Sequence, residues 1–153
     1  KRQNHTNAVN PAIKSLNYLN NILAKIEAIN ARCVEAIMLN SQGFVAECTG
    51  DNVFMLKGGQ LLTPPLAAGA LYGITRGVAI ELAKSLGVEV TEPNLTRYDL
   101  YNADEVFITG TAAEVVPVVK IDGRQIGLGK PGKLTKNLIK AYQNLTNSTG
   151  EAI

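Results

Sequence analysis

Lys14, Glu47, the run Gly73-Ile74-Thr75-Arg76 and the run Gly110-Thr111-Ala112-Ala113-Glu114 are the parts of this 153-residue chain whose types and order could do chemistry together. Lys14 offers an amine. Its neighbours Ala12, Ile13 and Leu16 predict partial desolvation, which an imine-forming lysine requires. Tyr18, four residues on, is expected on the same helical face, within reach of an oxygen of the same ligand. Glu47 closes an apolar strand. A carboxylate there either faces solvent or keeps a ring nitrogen protonated so that the ring can accept electrons. Gly73 to Arg76 puts free amides and the Thr75 hydroxyl at a helix start, where unpaired N–H groups and the macrodipole favour a phosphate. Thr75 as an ordinary N-cap is the alternative. In the second run, small residues after a strand permit close backbone approach to a ligand. The alternative is a plain connecting turn. The inventory is an amine, an anionic partner for a ring nitrogen, and two sets of amides and hydroxyls for a phosphate.

Positioning these groups falls to a mixture of helices and tight hairpins. Leu16, Leu19, Ile22, Leu23, Ile26 and Ile29 recur at three and four, which predicts a helix over 16–29 with one buried face and Lys14 at its entrance. Glu35 to Leu39 and Phe44 to Ala46 flank a four-residue turn signal. Asn52 to Leu56 and Leu61 to Thr63 flank Lys57-Gly58-Gly59-Gln60. Both read as hairpins of one antiparallel meander, stopped at Pro64-Pro65. A helix from Thr75 to a Gly87 stop, a strand at 88–91 and a capping box Thr96 to Asp99 opening a short helix come next. Strands at 105–109 and 115–121, a turn at Asp122-Gly123 and a closing helix over 134–145 complete the order. The pattern predicts an α+β, mixed α/β, class: a mostly antiparallel sheet or partial barrel with helices packed outside.

Composition excludes several functions. Charges of both signs are interspersed to a net +2, leaving no basic stripe for nucleic acid and no polybasic arm for a membrane. Cys33 and Cys48 lack metal-ligand spacing and His5 is the sole histidine, so reduced thiols and no metal are expected. No apolar run is long enough to span a bilayer and no leader pattern stands at the start, which predicts a cytoplasmic protein. Gly127 to Lys133 matches most of a nucleotide-binding P-loop. Leu134, however, stands where magnesium needs a hydroxyl, and Pro131 removes an amide from the cradle. The reading is a glycine-rich surface loop.

Ile13-Lys14-Ser15-Leu16-Asn17-Tyr18-Leu19, Glu47 with Gly50-Asp51-Asn52-Val53-Phe54, the two glycine-led runs, and Leu100-Tyr101-Asn102-Ala103-Asp104-Glu105 together closely resemble the class IV, fold-type IV aminotransferases, nearest to their branched-chain amino acid group. The resemblance implies pyridoxal 5'-phosphate as cofactor and Lys14 as the Schiff-base lysine that also shuttles the proton. It implies Glu47 on the pyridine nitrogen, Tyr18 on the phenolic oxygen and Leu71 against the ring. Ile74, Thr75, Gly110 and Thr111 would hold the phosphate, and the Thr111 and Ala112 amides the substrate carboxylate. The implied reaction exchanges L-leucine, L-isoleucine or L-valine with their 2-oxo acids, 2-oxoglutarate and glutamate being the partner pair. D-Amino acid aminotransferase, aminodeoxychorismate lyase and a noncatalytic domain keeping the fold are the rival readings. Cys48 stands where the family commonly has glycine, and Asp51 where it commonly has glutamate. Family chains are longer, and only their second half is matched. Residues 1–153 are therefore read as the large cofactor-binding domain, with 1–12 as interdomain connection and entry strand and the N-terminal small domain absent. A complementary fragment and a homodimer partner are expected.

Overall fold

The computed structural model describes residues 3–4, 10–11 and 13–149, so His5 and most of the expected connection 1–12 lie outside the described residues. The elements are β1 (Gln3–Asn4), α1 (Leu19–Asn30), β2 (Ile37–Asn40), β3 (Val45–Cys48), β4 (Asn52–Lys57), β5 (Gln60–Leu62), a 3-10 turn Leu66–Ala68, α2 (Ile74–Ser85), β6 (Val90–Thr91), α3 (Arg97–Tyr101), β7 (Glu105–Gly110), β8 (Glu114–Val118), β9 (Lys120–Ile121), β10 (Arg124–Gln125) and α4 (Lys133–Ser148). Five strands form a sheet in the order β6-β5-β4-β7-β8, three form β1-β2-β3, and β9 and β10 pair alone. All pairs are antiparallel except β1 with β2 and β5 with β6. The expected mixed class, mostly antiparallel, is what forms.

Side-chain alternation explains the layering. Phe54 and Phe107 face each other in register and stack at 4.9 Å, and with Leu61 they turn to the face covered by Ala79, Ile80 and Ala83 of α2 and Leu138 of α4. Their neighbours Val53, Met55, Val106 and Ile108 turn the other way, onto Val45, Cys48, Leu95 and Leu100. The β4–β5 turn is the two-residue type that matches strand twist, with Gly58 at φ 57° and Gly59 at φ 83°.

Four expectations need correction. The single meander divides, because the chain turns sharply after β3: Cys48 N–H bonds Asp51 O (2.7 Å), and Glu35 accepts from the Thr49 amide and hydroxyl. β4 then leaves for β7, so β3 and β4 belong to different sheets. The strand expected over 115–121 breaks at Val119, whose carbonyl accepts from Ile126 N–H as the chain enters the β9–β10 hairpin. The strand expected at 88–91 is only Val90–Thr91. The first helix starts at Leu19, since Leu16 takes the left-handed conformation (φ 64°), and its apolar face is not buried. Leu19, Ile22, Ile26 and Ile29 are 63%, 53%, 47% and 59% exposed, while Ala24 and Ala28 face inward. The periodicity was a sound sign of helix. It could not say which face this chain covers by itself.

The P-loop-like segment ends at the start of α4, and its anion place is already taken. Glu105 accepts from Leu134 N–H (3.1 Å), Thr135 N–H (2.8 Å) and the Thr135 hydroxyl (2.6 Å), and a Cβ on Gly132 would collide with its carboxylate. Glu105→Ala is expected to cost about 1–3 kcal/mol in urea unfolding, from the lost cap and charge-assisted bonds.

Candidate active site

A cleft of about 980 Å³ opens between the α1 entrance, the end of β3 and the β7–β8 turn. Lys14, Tyr18, Glu47, Leu71, Gly110, Thr111 and Ala112 all line it. Ile74 and Thr75 do not: Ile74 is exposed and Thr75 is buried in the first turn of α2. The α2 N-cap is Gly73, in extended conformation and without a side chain, so Thr75 is not the cap and the first-turn amides receive none.

Lys14 is exposed, against the expected desolvation, because Ile13 and Leu16 point to solvent as well. Tyr18 precedes α1 and so does not share a helical face with Lys14. The left-handed turn at Leu16 nonetheless brings the amine to 6.0 Å from the Tyr18 ring centroid. A kinked entry thus achieves what helical spacing was expected to do.

Glu47 lies in β3 and is 7% exposed, so the solvent-facing alternative fails. Its carboxyl is pushed up to about 7 by burial, against the pull of the Leu71 N–H (2.8 Å), the Asn4 amide and the positive charge of Lys14. The Leu71 segment is held in turn by Asn52, whose amide donates to Leu71 O (2.9 Å), while Asn4 donates to Gly69 O (3.2 Å) and Asn40 to Ala68 O (3.2 Å). A Cβ on Gly73 would collide with Asn52 Oδ1, which accounts for glycine there. Asn52→Ala removes one of two hydrogen bonds to Leu71 O, which keeps Gly73 N–H (2.9 Å), and is expected to lower stability by about 0.5–1.5 kcal/mol in thermal unfolding.

The same cleft holds, beside the end of β3, a cluster that motif reading missed. Glu35 accepts from Ala36 N–H (2.7 Å) and Thr49, and pairs with Lys25 (2.8 Å). Burial alone would raise its carboxyl, but Lys25, the Thr49 hydroxyl and the two amides outweigh burial and hold it below the ordinary range. Asp51 is raised by burial and by the neighbouring Glu35. It packs so closely on Gly110 that a Cβ there would strike its carboxylate, which ties the β3–β4 turn to the β7–β8 turn. Contacts between such distant stretches of chain leave no local signal. Only Asn52 and Asp51 stood inside a quoted motif. Cys48 is a buried core residue whose thiol burial raises strongly, and both cysteines are free. The glycine-to-cysteine departure thus serves packing.

The profile of the amino-transferase class IV family matches residues 1–121. The chain belongs to that family. A Methanocaldococcus jannaschii protein, provisionally named branched-chain-amino-acid aminotransferase, is 54% identical over 142 residues, 93% of this chain and 49% of that relative. The structure of the Escherichia coli branched-chain amino acid aminotransferase superposes with a TM-score of 0.91 at 44% identity, covering 95% of this chain and 50% of that one. That of the Thermobaculum terrenum branched-chain amino acid aminotransferase, solved in its PLP-bound holo-form, gives 0.90 at 39%, covering 94% and 47%. The chain spans about half the length of the curated relatives it matches.

Proposed function

We propose that this chain is the cofactor-binding half of a pyridoxal 5'-phosphate-dependent aminotransferase acting on L-leucine, L-isoleucine and L-valine with 2-oxoglutarate. The observation that carries the reading is the pairing in one cleft of an accessible amine, Lys14, with a buried carboxylate, Glu47. The donor set fits the cofactor. Glu47 is costly to ionise where it lies and would be relieved by a protonated ring nitrogen, and α2 begins with amides that Gly73 leaves uncapped, a favourable place for a phosphate.

When bound, the cofactor supplies an aldehyde carbon and an electron-withdrawing ring that stabilises negative charge on the substrate Cα. Lys14 would be the nucleophile toward that carbon and the base that moves the Cα proton. Glu47, fixed in place by Leu71 N–H, would hold the proton on the ring nitrogen. Tyr18 would donate its hydroxyl to the ring oxygen, and Leu71 would pack against the ring. The backbone amides of Ile74 and Thr75, at the α2 start three and four residues past Leu71 of the cleft wall, would hold the phosphate together with Gly110 and Thr111. The Thr111 and Ala112 amides receive the substrate carboxylate, on a turn kept close to Asp51 by Gly110.

The remaining substrate pocket belongs to an N-terminal small domain or complementary fragment, residues 1–12 being the connection, and the working unit is a homodimer in the cytoplasm. The apolar stripe of α1 supports such partners: contiguous exposed aliphatics of this extent mark interaction surfaces. Among the described residues no helix is long and apolar enough to cross a membrane.

The test is to add pyridoxal phosphate to the chain, alone and combined with its complementary half, reduce with borohydride and map the peptides. A mass increment on Lys14 is expected. No increment, or one on another lysine, defeats the reading. Turnover of D-alanine or aminodeoxychorismate with none of L-leucine would replace the substrate class.

A further inference from the structure

Arg76 is the largest fully buried side chain of the described residues, at 2% exposure, yet it stands in the first turn of α2. Its Nη2 donates to Pro64 O (3.1 Å) and to Glu92 Oε2 (2.6 Å), while Nε finds no acceptor among the described residues. Pro64 lies just past β5 and Glu92 just past β6, and these strands are parallel neighbours. The guanidinium therefore ties the same ends of two strands to the helix start.

Folding alone gives little reason for a cation here. The helix N-terminus is the positive end of the macrodipole, so a cation there is opposed. Taking it out of water costs several kcal/mol, and replacing a buried ion pair by apolar groups of like volume is often neutral or stabilising. The counterion Glu92 is 45% exposed and so stabilises the pair only weakly. An anion arriving at the first turn changes the balance, since the guanidinium and the helix end then attract the same group.

We propose that Arg76 is a positioning residue. Through Pro64 and Glu92 it fixes the direction of the Ile74 and Thr75 amides and reinforces their hold on the cofactor phosphate. This rests on the phosphate role given to Ile74 and Thr75 above.

The experiment compares pyridoxal 5'-phosphate with pyridoxal, which lacks the phosphate, as ligands of the full chain and of Arg76→Met, Arg76→Lys and Glu92→Gln. Arg76→Met is expected to weaken pyridoxal phosphate about tenfold or more, in the range that supporting-shell changes produce, and to leave pyridoxal within about twofold. Arg76→Lys should recover part of the loss. Glu92→Gln, at a half-exposed position the fold tolerates, should show a smaller loss of the same selectivity and decides the matter if Arg76→Met does not fold. Equal weakening of both ligands, or no change in either, overturns the proposal. A wild-type chain that binds the two ligands equally well overturns instead the phosphate role of α2 on which the proposal rests.

Discussion

Replacing Lys14 by alanine is expected to abolish the borohydride-trapped cofactor adduct and to lower transamination by the assembled enzyme by more than about 10³-fold, because one side chain serves as both nucleophile and base. The fold should be unaffected, since Lys14 is exposed and its described side-chain contact is the Tyr18 ring at 6.0 Å. A second lysine lines the cleft, which makes the outcome informative. Lys25 is committed to Val34 O (2.6 Å) and Glu35 (2.8 Å). It is not expected to take over, and an adduct on Lys25 in the Lys14→Ala protein would contradict the assignment. The charge change should also reach Glu47, whose carboxyl Lys14 now pulls downward and which should titrate still higher without it.

Glu47→Gln is expected to do two opposite things. Activity should collapse, because a neutral amide cannot keep a ring nitrogen protonated. The cofactor-free chain should become more stable at neutral and alkaline pH. The sign follows from linkage: a carboxyl at about 7 in the folded chain, against an ordinary 4.5, binds more protons folded than unfolded between those values. Stability in the wild-type chain therefore falls as pH rises through that window, by about 3 kcal/mol in all. The glutamine variant lacks this fall, and its amide oxygen can still accept from Leu71 N–H. Thermal unfolding from pH 4 to 9 measures it: the two proteins should coincide at the acid end and diverge above. Parallel curves would mean that Glu47 is not burdened by burial. Addition of cofactor should shrink the gap from the wild-type side, by giving the carboxylate a cation.

Sequence reading recovered what local rules govern. The Gly58-Gly59 turn, the Thr96–Asp99 capping box, observed with its reciprocal bonds, and the alternation through β4 and β7 depend on near neighbours only. Lys14, Glu47, Leu71 and the Gly110-Thr111-Ala112 turn were legible as a set and do meet in one cleft. What was not legible needed knowledge of distant chain. The partners that hold the buried Glu47 carboxyl, Leu71 and Asn4, lie far away in sequence. The kink at Leu16, where an isoleucine-and-leucine repeat continues through the break, shows that periodicity can run past a helix end. The exposed stripe on α1 is the converse case. A repeat announces that a surface wants company, and only the surroundings reveal whether the company is in the same chain.

The carboxylate of Glu105 at the head of α4 has a consequence for how the chain assembles. The acceptor for two amides of a C-terminal helix sits at the start of β7, some thirty residues earlier. The helix therefore gains its first-turn partner only after that strand has taken its place, and the strand's acid loses its water only when the helix arrives. Each ordering step is incomplete without the other, so the amides of Leu134 and Thr135 should exchange with solvent in the same cooperative unit as β7, not with a fraying tail.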